Sequence, residues 1–150
     1  MADTVVDILL VEDEKDDTTF FLRALKKANL EPHMRIAWNG IEALALMFGM
    51  GNPYDGIPIV RPKLVILDLE LPKANGLEVL SRLKTNPHTH AIPVVVMSSS
   101  QEKHDLAESY RMGVNSYLAK PTNFDEFAEL VRLLVRYWLK LNQHPNNDQK

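Results

Sequence analysis

The sequence predicts an α/β fold: a parallel sheet with helices on both faces. Three observations lead there. Five short apolar runs alternate with five longer amphipathic segments along the 150 residues. The runs lack in–out alternation, as expected of strands covered on both faces. Each run but one delivers polar, chemically capable residues at its end, the edge where open parallel sheets bind ligands.

The elements follow in order. Ile8 to Val11 reads as the first strand. A helix from about Asp16 to Ala28 places Phe21, Leu25 and Ala28 on one face. "HMRIAWNG" holds a weaker strand and "GIEALALMFGM" a second helix, with Trp38, Met47 and Met50 read as packing residues. Residues 51–62 carry three prolines and two glycines and read as a loop. Lys63 to Leu67 is the third strand, Gly76 to Thr85 the third helix and Pro93 to Met97 the fourth strand. "EKHDLAESYRM" is a helix and "VNSYLA" a short fifth strand. Asn123 to Leu141 is the last helix, opened by a capping-box-like Asn123 and Glu126. One domain over 1–141 is expected, followed by a flexible polar tail over 142–150.

Composition excludes several classes. A net charge of -3 gives no electrostatic case for nucleic-acid binding. No apolar run approaches the roughly 20 residues that cross a bilayer, and the N-terminus does not read as a signal peptide, so a cytoplasmic protein is expected. The absence of cysteine rules out disulfides, zinc–thiolate sites and thiol catalysis. His88, His90 and His104 lack ligand spacing.

The strand ends carry the chemistry. The first strand ends in Glu12 and Asp13, the third in Asp68, the fourth in Ser98, Ser99 and Ser100. Lys120 and Pro121 follow the fifth. Singly, an acid there is more often a cap or loop residue. Together they are different, because two like charges about 4 Å apart repel by roughly 4 kcal/mol at an effective dielectric of 20. A divalent cation and a lysine are the evident compensators, and an all-oxygen set with few carboxylates suits Mg²⁺. Asp68 is then placed to attack phosphorus and form an acyl phosphate, with Lys120 and Ser98 on phosphoryl oxygens.

These motifs, "ILLVEDE", "LVILDLELPKANG", "IPVVVMSSS" and "NSYLAKP", resemble those of response-regulator receiver domains over roughly residues 7–141. The resemblance implies a flavodoxin-like five-stranded parallel sheet of order 2-1-3-4-5. It implies that Asp68 is the phosphoacceptor and that Glu12, Asp13, Asp68 and the backbone carbonyl of Glu70 hold Mg²⁺. It further makes Ser98 and Tyr117 the switch pair and Lys120 the site lysine, followed by a cis Lys120–Pro121 bond. Glu70 and Ser100 fall at positions that tune phosphoryl loss. Such a chain catalyses only its own phosphorylation and dephosphorylation, with a sensor histidine kinase as partner. The loop after the second helix, "DLELPKANGLEVLSRLK", "SYRMGVNSYLAKP" and the ending "RYWLKL" are similar to stand-alone regulators of phytochrome-type kinases.

Output is then expected through a binding surface. Phe124, Phe127, Val131, Leu134, Trp138 and Leu141 form one apolar face of the last helix. Leu130, Leu133 and Tyr137 form a second stripe, with Val135 and Leu139 beside it, which suggests a homodimer through this helix and its neighbours. Two competing readings are a small aspartyl-phosphate phosphohydrolase, which "DLE" resembles loosely, and a phosphorylation-independent scaffold.

Overall fold

The computed structural model describes residues 4–49, 59–72, 75–99 and 102–145. Five strands and five helices alternate: β1 (Thr4–Val11), α1 (Lys15–Lys27), β2 (Met34–Ala37), α2 (Gly40–Phe48), β3 (Val60–Leu67), α3 (Gly76–Thr85), β4 (Val94–Ser98), α4 (Lys103–Met112), β5 (Ser116–Ala119) and α5 (Phe124–Arg136). All pairings are parallel, in the order β2-β1-β3-β4-β5. The sheet and its strand order are those predicted.

Successive residues of the central strands serve opposite faces, which is why their runs are apolar throughout. Leu9, Val11, Val65, Leu67, Val94 and Val96 face a core shared with α2 and α3. Ile8, Leu10, Leu64, Ile66, Val95 and Met97 face the other core, filled by Phe21 and Leu25 of α1 and Phe127 and Val131 of α5.

Three helices begin alike. Asn39, Asn75 and Asn123 each accept a hydrogen bond from the backbone N–H of the glutamate three residues on, at 2.8, 3.0 and 3.1 Å. Glu42 also accepts the N–H of Trp38, the residue before the cap, at 3.0 Å, which ties the chain entering α2 to its first turn. Only the Asn123 cap was read from the sequence.

Several expectations are corrected. β3 starts at Val60, inside the expected loop. Pro62 stays in the strand, paired with Val6, and the β1–β3 pairing skips the next pair, Asp7 and Lys63, where the Asp7 and Ile8 N–H groups both donate to the His33 carbonyl at 2.8 and 3.2 Å. Residues 50–58 of that loop, Met50 among them, lie outside the described residues, as do Ser100 and the last five residues of the expected tail. Trp38 is 40% exposed rather than packed, because it follows the last residue of the edge strand β2. On the last helix Val135 is buried and Leu130 and Leu139 pack on the same core, so none of the three belongs to an outer stripe. After Arg136 the helix widens into a π-helical turn, Tyr137–Leu141. The wider turn rotates Leu141 off the packed face and leaves it exposed. The described residues contain no cis peptide bond, so Lys120–Pro121 is trans, the isomer favoured even before proline.

Candidate functional site

The carboxyl ends of β1, β3, β4 and β5 bring the expected residues to one edge. β1 and β3 pair at Val11 and Leu67, so Glu12 and Asp68 emerge side by side. The Asp68 N–H donates to the Val11 carbonyl at 3.0 Å, extending the ladder to the site itself. Oxygens of Glu12, Asp13 and Asp68 lie within 4.8 Å of one another. This is the one such cluster of potential ligands found among the described residues. Its donors are all carboxylate oxygens, a set that fits a hard divalent cation.

Gly76 explains the turn after Asp68. A Cβ there would collide with the Leu69 Cα and come to 2.5 Å of the Asp68 carbonyl oxygen. The Gly76 N–H donates to the Leu69 carbonyl at 3.1 Å. The glycine is therefore required for space: α3 begins against the backbone that carries Asp68. Asp68 does not cap this helix, since Asn75 does. Instead one Asp68 oxygen accepts from the Glu70 N–H at 3.0 Å, fixing the carboxylate.

Lys120 closes the cluster. Its ammonium donates to Glu12 at 2.7 Å, to Asp17 at 2.7 Å and to Asp68 at 3.1 Å. Burial opposes its charge, but the hydrogen bonds to Asp17 and Glu12 and the charges of Asp68 and Glu12 outweigh it and raise its pKa. Glu12 moves the other way from an ordinary carboxylate: burial pushes it up to about 7, with the Asp68 charge adding and Lys120 opposing. Glu12 is held further by the Glu14 N–H at 3.1 Å.

Asp17 was not read from the sequence. It stands in the first turn of α1, where an acid reads as a favourable helix-dipole residue. The available signal was its position one helical turn beyond Asp13, which returns the side chain toward the strand ends.

Ser98 is fully buried at the end of β4, and its carbonyl accepts the Lys120 N–H at 3.0 Å. Tyr117 pairs with Val96 and is half-buried against the α2–α3 core. Ser99 donates to the Glu70 carboxylate at 2.8 Å, a contact across the mouth of the site that the sequence did not show.

The family model for the response regulator receiver domain matches residues 8–132. The chain belongs to this family. Response regulator Rcp1 of a Synechocystis species is 38% identical over 133 residues, 89% of this chain and 88% of that protein. The structure of Mn²⁺-bound Rcp1 superposes with a TM-score of 0.83 at 37% identity, covering 95% of this chain and 99% of that one. The phosphorylated cyanobacterial phytochrome response regulator RcpA superposes with a TM-score of 0.81 at 33% identity, over 96% and 99%. Membership makes the chain a signalling receiver rather than a metabolic enzyme.

Proposed function

We propose that this receiver takes a phosphoryl group from a sensor histidine kinase of the phytochrome type, in a Mg²⁺-dependent reaction at Asp68, and signals through a protein surface. The carrying observation is the cluster itself: three carboxylates within 4.8 Å of one another, with the Lys120 ammonium 2.7 and 3.1 Å from two of them. Similarity to Rcp1 and RcpA over nearly their full lengths supports the phytochrome link.

Glu12, Asp13 and Asp68 would hold the cation, with the Glu70 carbonyl as a further ligand. When bound, Mg²⁺ neutralises charge that builds up on the transferring phosphoryl group. The Asp68 oxygen forms a bond to phosphorus as the P–N bond of the kinase's phosphohistidine breaks and the imidazole departs. The strand ladder and the Glu70 N–H hold Asp68 in line for this attack. Lys120 binds a phosphoryl oxygen, and its neighbours keep it fully protonated. Ser98 then donates to another phosphoryl oxygen, and Tyr117 follows inward behind it. That is a two-state element biased by new charge.

The output surface in this reading is a homodimer through the last helix. Leu133, Tyr137 and Leu141 recur at four-residue spacing and are 52, 50 and 64% exposed. No helix among the described residues is long and apolar enough to cross a membrane, and we place the protein in the cytoplasm.

Two experiments test this reading. Labelled phosphate should pass from a phytochrome-type kinase to the wild type and not to Asp68→Asn; transfer to both would remove Asp68 from the mechanism. Sedimentation should show a dimer that Leu133→Asp disrupts. A monomer at high concentration, with and without beryllofluoride as phosphoryl analogue, would exclude it.

A further inference from the structure

We infer that Asp17 is a positioning residue, the counter-ion that keeps Lys120 in place while Glu12 and Asp68 are engaged elsewhere. The inference rests on the phosphoryl chemistry proposed above. A lysine ammonium has three N–H donors, and all three are assigned: Glu12, Asp17 and Asp68. Two of those partners carry a second duty. Glu12 and Asp68 belong to the cation-holding cluster, and Asp68 gives up an oxygen to phosphorus. Asp17 lies outside that cluster. It is the one partner that neither a cation nor a phosphoryl group takes away.

The surroundings make such a partner necessary. The Lys120 side chain is only 9% exposed, so water cannot readily replace a lost acceptor. The wall around the pair includes Phe21, Ile66, Met97 and Phe127, whose apolar surfaces strengthen a charge-assisted hydrogen bond. Asp17 is itself fixed. It sits on α1, where the Thr18 N–H and hydroxyl both donate to the Glu14 carbonyl, at 3.0 and 3.1 Å. Phe21, one turn on, is anchored in the core. A rigid helix therefore presents a carboxylate to the ammonium at 2.7 Å.

The sign of the effect separates this role from a direct one. Acting directly, the Asp17 charge would repel an anionic phosphodonor, and neutralising it would speed phosphoryl uptake. Acting through Lys120, its loss leaves the ammonium without its one fixed partner and slows uptake.

The test compares wild type, Asp17→Asn, Asp17→Glu and the same Asp17→Asn change in a Lys120→Met background. Uptake from acetyl phosphate is measured at saturating Mg²⁺, so that altered cation affinity drops out. Asp17→Asn is expected to slow uptake roughly three- to tenfold, the scale of one charge-assisted hydrogen bond in a partly exposed pair. Asp17→Glu should recover part of the rate, and in Lys120→Met the Asn change should no longer slow the reaction. A second readout is lysine-selective NMR of the Mg²⁺-loaded, unphosphorylated protein. The Lys120 ammonium protons should be protected in the wild type and exchange faster in Asp17→Asn. Should Asp17→Asn fail to fold, Asp17→Ser is read in the same way. Faster or unchanged uptake in Asp17→Asn, or the same slowing in Lys120→Met, would overturn the inference while leaving Asp68 chemistry intact. Failure of the wild type to take up phosphate from any donor would overturn both.

Discussion

Lys84 and Lys120 are both drawn out of water, yet their surroundings act on them in opposite directions. Lys84 leaves α3 and donates to the carbonyls of His90 and Ile92, at 3.2 and 2.9 Å, and to the Asn115 side chain at 2.9 Å. All three acceptors are neutral, and burial lowers its pKa. Asn115 also accepts the Val94 N–H at 2.8 Å, so Lys84 ties the approach to β4 to the approach to β5. Lys120 has three carboxylates instead, and its pKa is raised. One lysine fastens backbone at the amino end of the sheet. The other stores positive charge at the carboxyl end, where the proposed function puts the phosphoryl group. A buried lysine becomes functional through the charge of its partners, not through burial alone.

The largest effect that sharpens this contrast is expected from Lys120→Met. Phosphoryl uptake from acetyl phosphate should fall by roughly a hundredfold or more, as for loss of a preorganised charge at a developing anion. Uptake within about threefold of wild type would show that Lys120, like Lys84, only holds structure.

Next comes the pH response of the metal-free protein. Folding raises the Glu12 pKa from 4.5 to about 7. The folded state therefore binds this proton more tightly than the unfolded chain. The resulting stability is complete below pH 4.5 and is lost as pH rises through 7. Denaturation of wild type should show this decline, on the order of 2–3 kcal/mol, and Glu12→Gln should flatten it. A profile unchanged by Glu12→Gln would contradict the assignment.

Lys84→Met should leave phosphoryl uptake within about twofold of wild type while lowering unfolding free energy by about 1–2 kcal/mol, because carbonyls lose a donor. Urea melts together with uptake rates decide this, and a large loss of uptake would erase the distinction between the two lysines. The smallest effect is alkaline. Because the folded-state pKa of Lys84 is lowered, the unfolded chain binds the proton more tightly. Stability should rise slightly as pH climbs from the lowered pKa toward 10.5, and Lys84→Met should lack the rise.

Much of this site was legible because a parallel sheet gathers its strand ends at one edge. Glu12, Asp13, Asp68 and Lys120 each follow an apolar run directly, so locating the runs located the residues. Asp17 was not legible in that way. It belongs to a helix, and only the return of α1 over the sheet brings it to Lys120. Pro62 misled the reading of β3, because a segment with three prolines resembles a loop, yet Pro62 pairs with Val6 inside the strand. Asn39 and Asn75 cap α2 and α3, but an asparagine before a glycine is equally a turn signal, so the sequence does not single them out. Leu141 continued a helical spacing that the π-helical turn breaks. Asp17, Pro62 and Leu141 share a cause: the role of each is set by a neighbour distant in sequence or by a local departure from ideal geometry.

In the proposed function, the charge gathered at the carboxyl edge serves phosphoryl transfer to Asp68. Intact mass after incubation with acetyl phosphate and Mg²⁺ tests it most directly. A gain of one phosphoryl group is expected in the wild type, absent in Asp68→Asn and absent when a chelator removes the cation. An equal gain in Asp68→Asn, or a gain unaffected by chelator, would contradict it.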